Sequence, residues 1–107
     1  MEVQVERDAV RLELRVTNPT AAPVILEYPT SQRYDFAVLR PDGGEVWRWS
    51  AERMFAQVLG TETLGPGEAV EYGAGWDPAG AVGRYVAVAV LTASNVRVER
   101  RKEFEVR

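Results

Sequence analysis

Sixteen carboxylates, thirteen basic side chains and neither histidine nor cysteine set the chemistry open to this 107-residue chain. Nucleophilic relays that draw on imidazole, and zinc sites made of His and Cys, are out of reach. The carboxylates form no calcium loop, because Asp42 and Glu45 around Gly43-Gly44 bring too few oxygens together. Gly73-Ala74-Gly75 lacks the Lys-Ser/Thr ending and following helix of a phosphate loop, and Trp76-Asp77-Pro78 comes next. Acid–base work by two carboxylates meeting across strands remains a minor route, and no spacing singles out a pair. The sequence therefore reads as a non-enzyme without cofactor or metal, acting through the shape of a surface.

The side chains best suited to such contact are concentrated in residues 30–57. Thr30-Ser31-Gln32-Arg33-Tyr34-Asp35-Phe36 is followed by Val46-Trp47-Arg48-Trp49-Ser50 and Met54-Phe55-Ala56-Gln57. Trp, Tyr and Arg are the residue types in which binding energy concentrates. Core packing is the competing role for the two tryptophans.

The elements that must position these residues read as strands. Val10, Leu12, Leu14 and Val16 alternate with charged residues, a period of two with one wet face. Val3 and Val5 start a shorter run, with a turn at Arg7-Asp8. Val24 to Tyr28 follows the Asn18-Pro19-Thr20 corner. Val70, Tyr72, Ala74 and Trp76 alternate again, Tyr85 to Leu91 is apolar on both faces, and Val96 to Val106 is a last strand with a charged middle. Pro41-Asp42-Gly43-Gly44, Gly65-Pro66-Gly67, Asp77-Pro78-Ala79-Gly80 and Thr92-Ala93-Ser94-Asn95 break the runs. Seven to eight short strands without a long helical period predict an all-β antiparallel β-sandwich in one domain, residues 1–107.

Finer expectations follow. With Arg40 opposite Glu45, Val38 faces Trp47 and Phe36 faces Trp49 on one side of a hairpin, and Asp35 and Arg48 become diagonal neighbours able to form an ion pair. A bulge at Gly43-Gly44 would shift that register. Residues 51–67 show no alternation, with Ser50 placed to cap a helix over 51–57 that Phe55 anchors. Gly83-Arg84-Tyr85 predicts a tyrosine corner, its hydroxyl bonded to upstream backbone, with an ordinary core tyrosine as the alternative. Val86, Val88 and Val90 would form an outward apolar face if Tyr85, Ala87 and Ala89 point inward.

A net charge of −3, and a basic run (Arg97, Arg100, Arg101, Lys102) interrupted by Glu99 and Glu103, argue against a nucleic-acid partner. No apolar stretch near the N-terminus is long enough for a signal h-region or a span, and no membrane partner is expected. The lack of cysteine suits the cytoplasm better than an oxidising space.

Several blocks together resemble the intracellular proteinase inhibitors of the BsuPI family. They are Val16-Thr17-Asn18-Pro19-Thr20, Ser31-Gln32-Arg33-Tyr34-Asp35-Phe36, Val46-Trp47-Arg48-Trp49-Ser50 with Phe55 and Gln57 behind it, Leu64-Gly65-Pro66-Gly67-Glu68, Trp76, and Gly83-Arg84-Tyr85 with Leu91. The likeness runs over roughly residues 12–91. It implies an immunoglobulin-like β-sandwich that inhibits a serine protease of the subtilisin type inside bacterial cells. It fixes no inhibitory residue.

Physical reasoning supplies candidates, because an inhibitor bound like a substrate needs a rigid, extended, exposed segment. Thr30–Tyr34, between Pro29 and Phe36, and Trp49–Met54, held by Phe55, fit this requirement. The contact candidates are Ser31, Gln32, Arg33, Tyr34, Ser50, Arg53 and Met54, with Tyr34 or Met54 entering the specificity pocket. The alternative is a non-inhibitory interaction module on the same fold.

Overall fold

The computed structural model describes residues 1–107. Nine strands follow in chain order: β1 (Glu2–Val5), β2 (Val10–Thr17), β3 (Val24–Tyr28), β4 (Tyr34–Leu39), β5 (Glu45–Arg48), β6 (Gly60–Leu64), β7 (Ala69–Trp76), β8 (Gly83–Leu91) and β9 (Val98–Val106). A 3-10 turn at Trp49–Glu52 lies between β5 and β6. All ladders are antiparallel. The strands form a β5-β4-β8-β9 sheet, a β1-β2-β7 sheet and a β3-β6 ribbon, and together they make a β-sandwich.

Period-two patterning decides which faces meet. Val10, Leu12 and Leu14 of β2 are buried while Arg11 and Arg15 stay in solvent, and Trp76 is the buried residue of β7. These pack with Phe36 and Val38 of β4 and with Tyr85, Ala87 and Ala89 of β8 in one core shared by the two larger sheets. Val38 lies opposite Ala87 and Phe36 opposite Ala89, so a small side chain meets a large one at each step. Leu26, Tyr28 and Leu91 form a second cluster under the β3-β6 ribbon.

Asn18 fixes the corner between β2 and β3. Its amide donates to the Ala22 (2.8 Å) and Leu64 (2.9 Å) carbonyls, and its Oδ1 accepts from the Thr20 N–H (3.0 Å) and hydroxyl (2.7 Å). The buried amide is thus fully satisfied.

Several expectations are corrected. The stretch 51–67 is not structureless, since Gly60–Leu64 is a strand paired with β3. Only Leu64 of β6 is buried, so the usual apolar alternation is missing. The hairpin keeps Val38 opposite Trp47, but Glu45 faces Leu39 instead of Arg40, and the bulge lies between Val38 and Leu39 instead of at the glycines. The expected helix over 51–57 is one 3-10 turn, and Ser50 makes no cap because its hydroxyl turns to Asp35. Tyr85 packs edge-on to Trp76 and stacks with Phe104, as a core tyrosine without a corner hydrogen bond. The last strand starts at Val98.

The outward valines of β8 are not bare. Val88 is buried between Ala37 and Arg101, and the half-buried Val86 and Val90 lie opposite Glu103 and Glu99 of β9. The aliphatic stems of long charged side chains cover apolar surface in this way.

Candidate functional site

Three aromatic rings bridge the two larger sheets at one end of the sandwich. Tyr72 of β7 stacks on Tyr34 of β4 (centroids 4.5 Å apart, planes at 21°), and Tyr34 stacks on Trp49 (4.4 Å, 27°). Tyr34 also meets Phe36 of the core edge-on at 5.6 Å. Stacked pairs of this kind contribute about 0.5–1.5 kcal/mol each beyond simple area burial. Trp49 is therefore fixed to the scaffold although it follows the last residue of β5.

A buried carboxylate bends the chain there. Asp35, only 6% exposed, accepts from the Phe36 N–H (2.9 Å), the Ser50 N–H (3.1 Å), the Ser50 hydroxyl (2.6 Å) and the Arg48 guanidinium (3.1 Å). The expected Asp35–Arg48 ion pair is present, and Arg48 also reaches Glu45 at 2.7 Å. Burial works to lower the Arg48 pKa, but hydrogen bonds to Glu45 and Asp35 outweigh it and hold the guanidinium above its usual value. The 3-10 turn is thereby anchored to the neighbouring strand.

The segment before β4 is held just as closely. The Arg33 guanidinium pairs with Glu62 (3.0 Å), donates to the Thr30 carbonyl (2.9 Å) and lies 4.3 Å from the centre of the Tyr28 ring. The Gln32 amide donates to the Tyr34 carbonyl (3.0 Å), and the Thr92 hydroxyl donates to the Gln32 carbonyl (2.7 Å). Behind Arg33, the Tyr28 hydroxyl is buried without a hydrogen-bond partner. Burial, helped by the nearby Tyr72 and Glu62, pushes its pKa far up; burial also raises Tyr72.

Residues 53–59 behave differently. They carry no regular structure, and Arg53 is extended (φ −121°, ψ 152°). Met54 is 99% exposed, Val58 61% and Leu59 82%. Yet the residues on either side of Met54 rest on one indole. The Arg53 guanidinium lies 4.3 Å from the centre of the Trp49 ring, and the Phe55 ring is 5.8 Å away at 46°. One residue further on, the Ser31 N–H donates to the Ala56 carbonyl (3.0 Å) and the Ala56 N–H donates to Ser31 Oγ (2.8 Å). The two segments singled out in the sequence are thus joined into one ridge with Met54 at its crest. A groove of about 860 Å³ runs beside it, between Trp47, Trp49 and Arg53 and the Gly73-Ala74-Gly75 backbone.

Of the seven candidate contact residues, Ser31, Arg53 and Met54 lie in solvent at this ridge. Gln32, Arg33 and Ser50 direct their side chains inward, and both faces of the Tyr34 ring are covered. Tyr34 is thus a support of the ridge and is not displayed for insertion into a pocket. Val58 and Leu59 were missed; their signal was an apolar pair inside a stretch without alternation.

No helix of the structure is long and apolar enough to cross a membrane. No match to the chain is found among curated proteins. The family model for BsuPI, the intracellular proteinase inhibitor, matches residues 1–96. With nearly its whole length under that match, and with the blocks that carry the likeness forming the Asn18 corner, the Asp35 anchor and the Trp49 stack, the chain belongs to the intracellular proteinase inhibitor family.

Proposed function

We propose that this chain, as a single immunoglobulin-like domain in the cytoplasm, inhibits a subtilisin-type serine protease by offering residues 53–59 to the active-site cleft, with Met54 in the specificity pocket. The observation that carries this reading is the contrast at Met54. Its side chain is 99% exposed while both neighbours pack on Trp49. A free segment loses about 1–2 kcal/mol of backbone entropy per residue on being fixed. Anchors at 53, 55 and 56 remove part of that cost before the protease arrives, which favours tight binding. Val58 and Leu59 add apolar contact beyond the anchor, and the neighbouring groove gives room for the rim of the cleft. A standard interface of roughly 1,600 Å² accommodates a ridge of this length together with its flanks.

The competing interaction module called for a wide open apolar face on β8. Val88 is buried and charged side chains of β9 flank the other two valines, which favours the loop over the sheet face. Titrating a purified subtilisin-type protease with the chain separates the two readings. An inhibitor abolishes peptide-substrate turnover near one equivalent; a module merely survives or is degraded while turnover continues.

A further inference from the structure

We propose that Met54–Phe55 is the bond presented to the protease nucleophile, and that Trp49 and Ser31 keep the two new chain ends in place so that cleavage is reversed. The inference rests on the inhibitory reading above and adds how the chain escapes being digested. On the side of Met54, the Arg53 N–H donates to the Ser50 carbonyl (3.1 Å), its Nε donates to the Trp49 carbonyl (3.2 Å), and its guanidinium covers the indole. On the other side, Phe55 packs against the same indole and Ala56 is doubly hydrogen-bonded to Ser31. Trp49 itself is locked by the Tyr34–Tyr72 stack. The tethers on both sides are thus independent of the Met54–Phe55 bond.

The chemistry follows from serine-protease catalysis. The serine Oγ attacks the Met54 carbonyl carbon as the protease histidine takes its proton. The C–N bond to Phe55 breaks, the histidine passes that proton to the Phe55 nitrogen, and Met54 becomes an ester of the enzyme. In an ordinary substrate the amine diffuses off and water completes hydrolysis. Here the Phe55 amine stays beside the ester. It attacks the same carbonyl, returns its proton through the histidine to the serine, and restores the peptide. A reactant held in place acts at an effective concentration far above one free in solution. Trp49 and Ser31 are positioning residues: they touch neither the carbonyl nor the amine, and act through Arg53, Phe55 and Ala56.

The test treats the full chain with a catalytic amount of subtilisin at fixed pH and follows intact and cut forms by mass spectrometry. A second run starts from purified cut chain. The expected result is a single cut between Met54 and Phe55 and convergence of both runs on the same mixture of the two forms. Ser31→Ala, at an exposed position, removes one of the two Ala56 hydrogen bonds, shifts the mixture about fivefold toward the cut form and lowers Tm by no more than about 5 °C. Trp49→Ala drives the mixture to the cut form and speeds loss of inhibition at least about tenfold. Cleavage elsewhere, absence of any cut, failure to regain intact chain, or both variants matching the parent would overturn the inference while leaving inhibition standing. Absence of inhibition by the parent chain overturns the inhibitory reading and this inference together.

Discussion

Replacing Asp35 by alanine tests the anchor on which the ridge depends. The carboxylate accepts four hydrogen bonds, two from backbone N–H groups and two from side chains. Arg48 is part-exposed and keeps Glu45, so its loss adds little. The Ser50 hydroxyl is half-buried and finds water. The two N–H groups lose a charged acceptor, at about 1–3 kcal/mol each, and Ser50 lies near the lower end because it is close to solvent. The sum is about 3 kcal/mol, or roughly a 10–20 °C fall in Tm for a domain of this size. Urea unfolding followed by tryptophan fluorescence measures it, and the unaltered chain should unfold in a single transition. Ser50→Ala alone should cost about 1 kcal/mol, and Asp35→Ala/Ser50→Ala less than the sum of the two, with a coupling of at least ~0.5 kcal/mol. An Asp35→Ala loss below ~1 kcal/mol, or strict additivity with Ser50→Ala, refutes the assignment of this carboxylate as the anchor of the 3-10 turn.

Other positions give independent expectations. Asn18→Asp turns two donors toward carbonyls into acceptors and should destabilise the fold by about 3 kcal/mol in denaturant titration. Tyr28 and Tyr72 have raised folded pKa values, so above their ordinary value near 10 the unfolded chain loses protons first. Their contribution to stability is then constant below about pH 10 and is lost above it, by up to about 1.4 kcal/mol per pH unit for each tyrosine. Tyr28→Phe should remove one share of that alkaline loss and be neutral or stabilising at pH 7, since its hydroxyl has no partner. Gly75 has open space where a Cβ would go and an ordinary φ, so Gly75→Val should be neutral or raise stability by up to ~1 kcal/mol in thermal unfolding.

The fold was legible wherever burial imposes a period of two. Strands β2, β7 and β8 face the core with whole apolar sets, and their residues announce it. Strand β6 was hidden because Glu62 and the threonines carry its pattern and Arg33, from another segment, satisfies Glu62. Ser50 read as a helix cap because local chemistry favours one, although the expected hairpin register, with Phe36 opposite Trp49, already set Asp35 opposite it. The site was half legible. Residue types located the ridge, and the Trp-x-x-x-Arg-Met-Phe order contained the clamp. Which ring faces which was decided by Tyr72, from the opposite sheet, so Tyr34 looked available when it is sandwiched. The Ser31–Ala56 pairing joins residues 25 apart, and only the closed structure reveals it.

The most direct measurement is the inhibition constant of Met54→Asp against a subtilisin-type protease, beside the unaltered chain. Met54 contacts nothing that stabilises the fold, so melting should be unchanged, while a charge driven into an apolar pocket weakens inhibition by at least about 100-fold. An inhibition constant within twofold of the parent value contradicts the claim that this crest is what the protease binds.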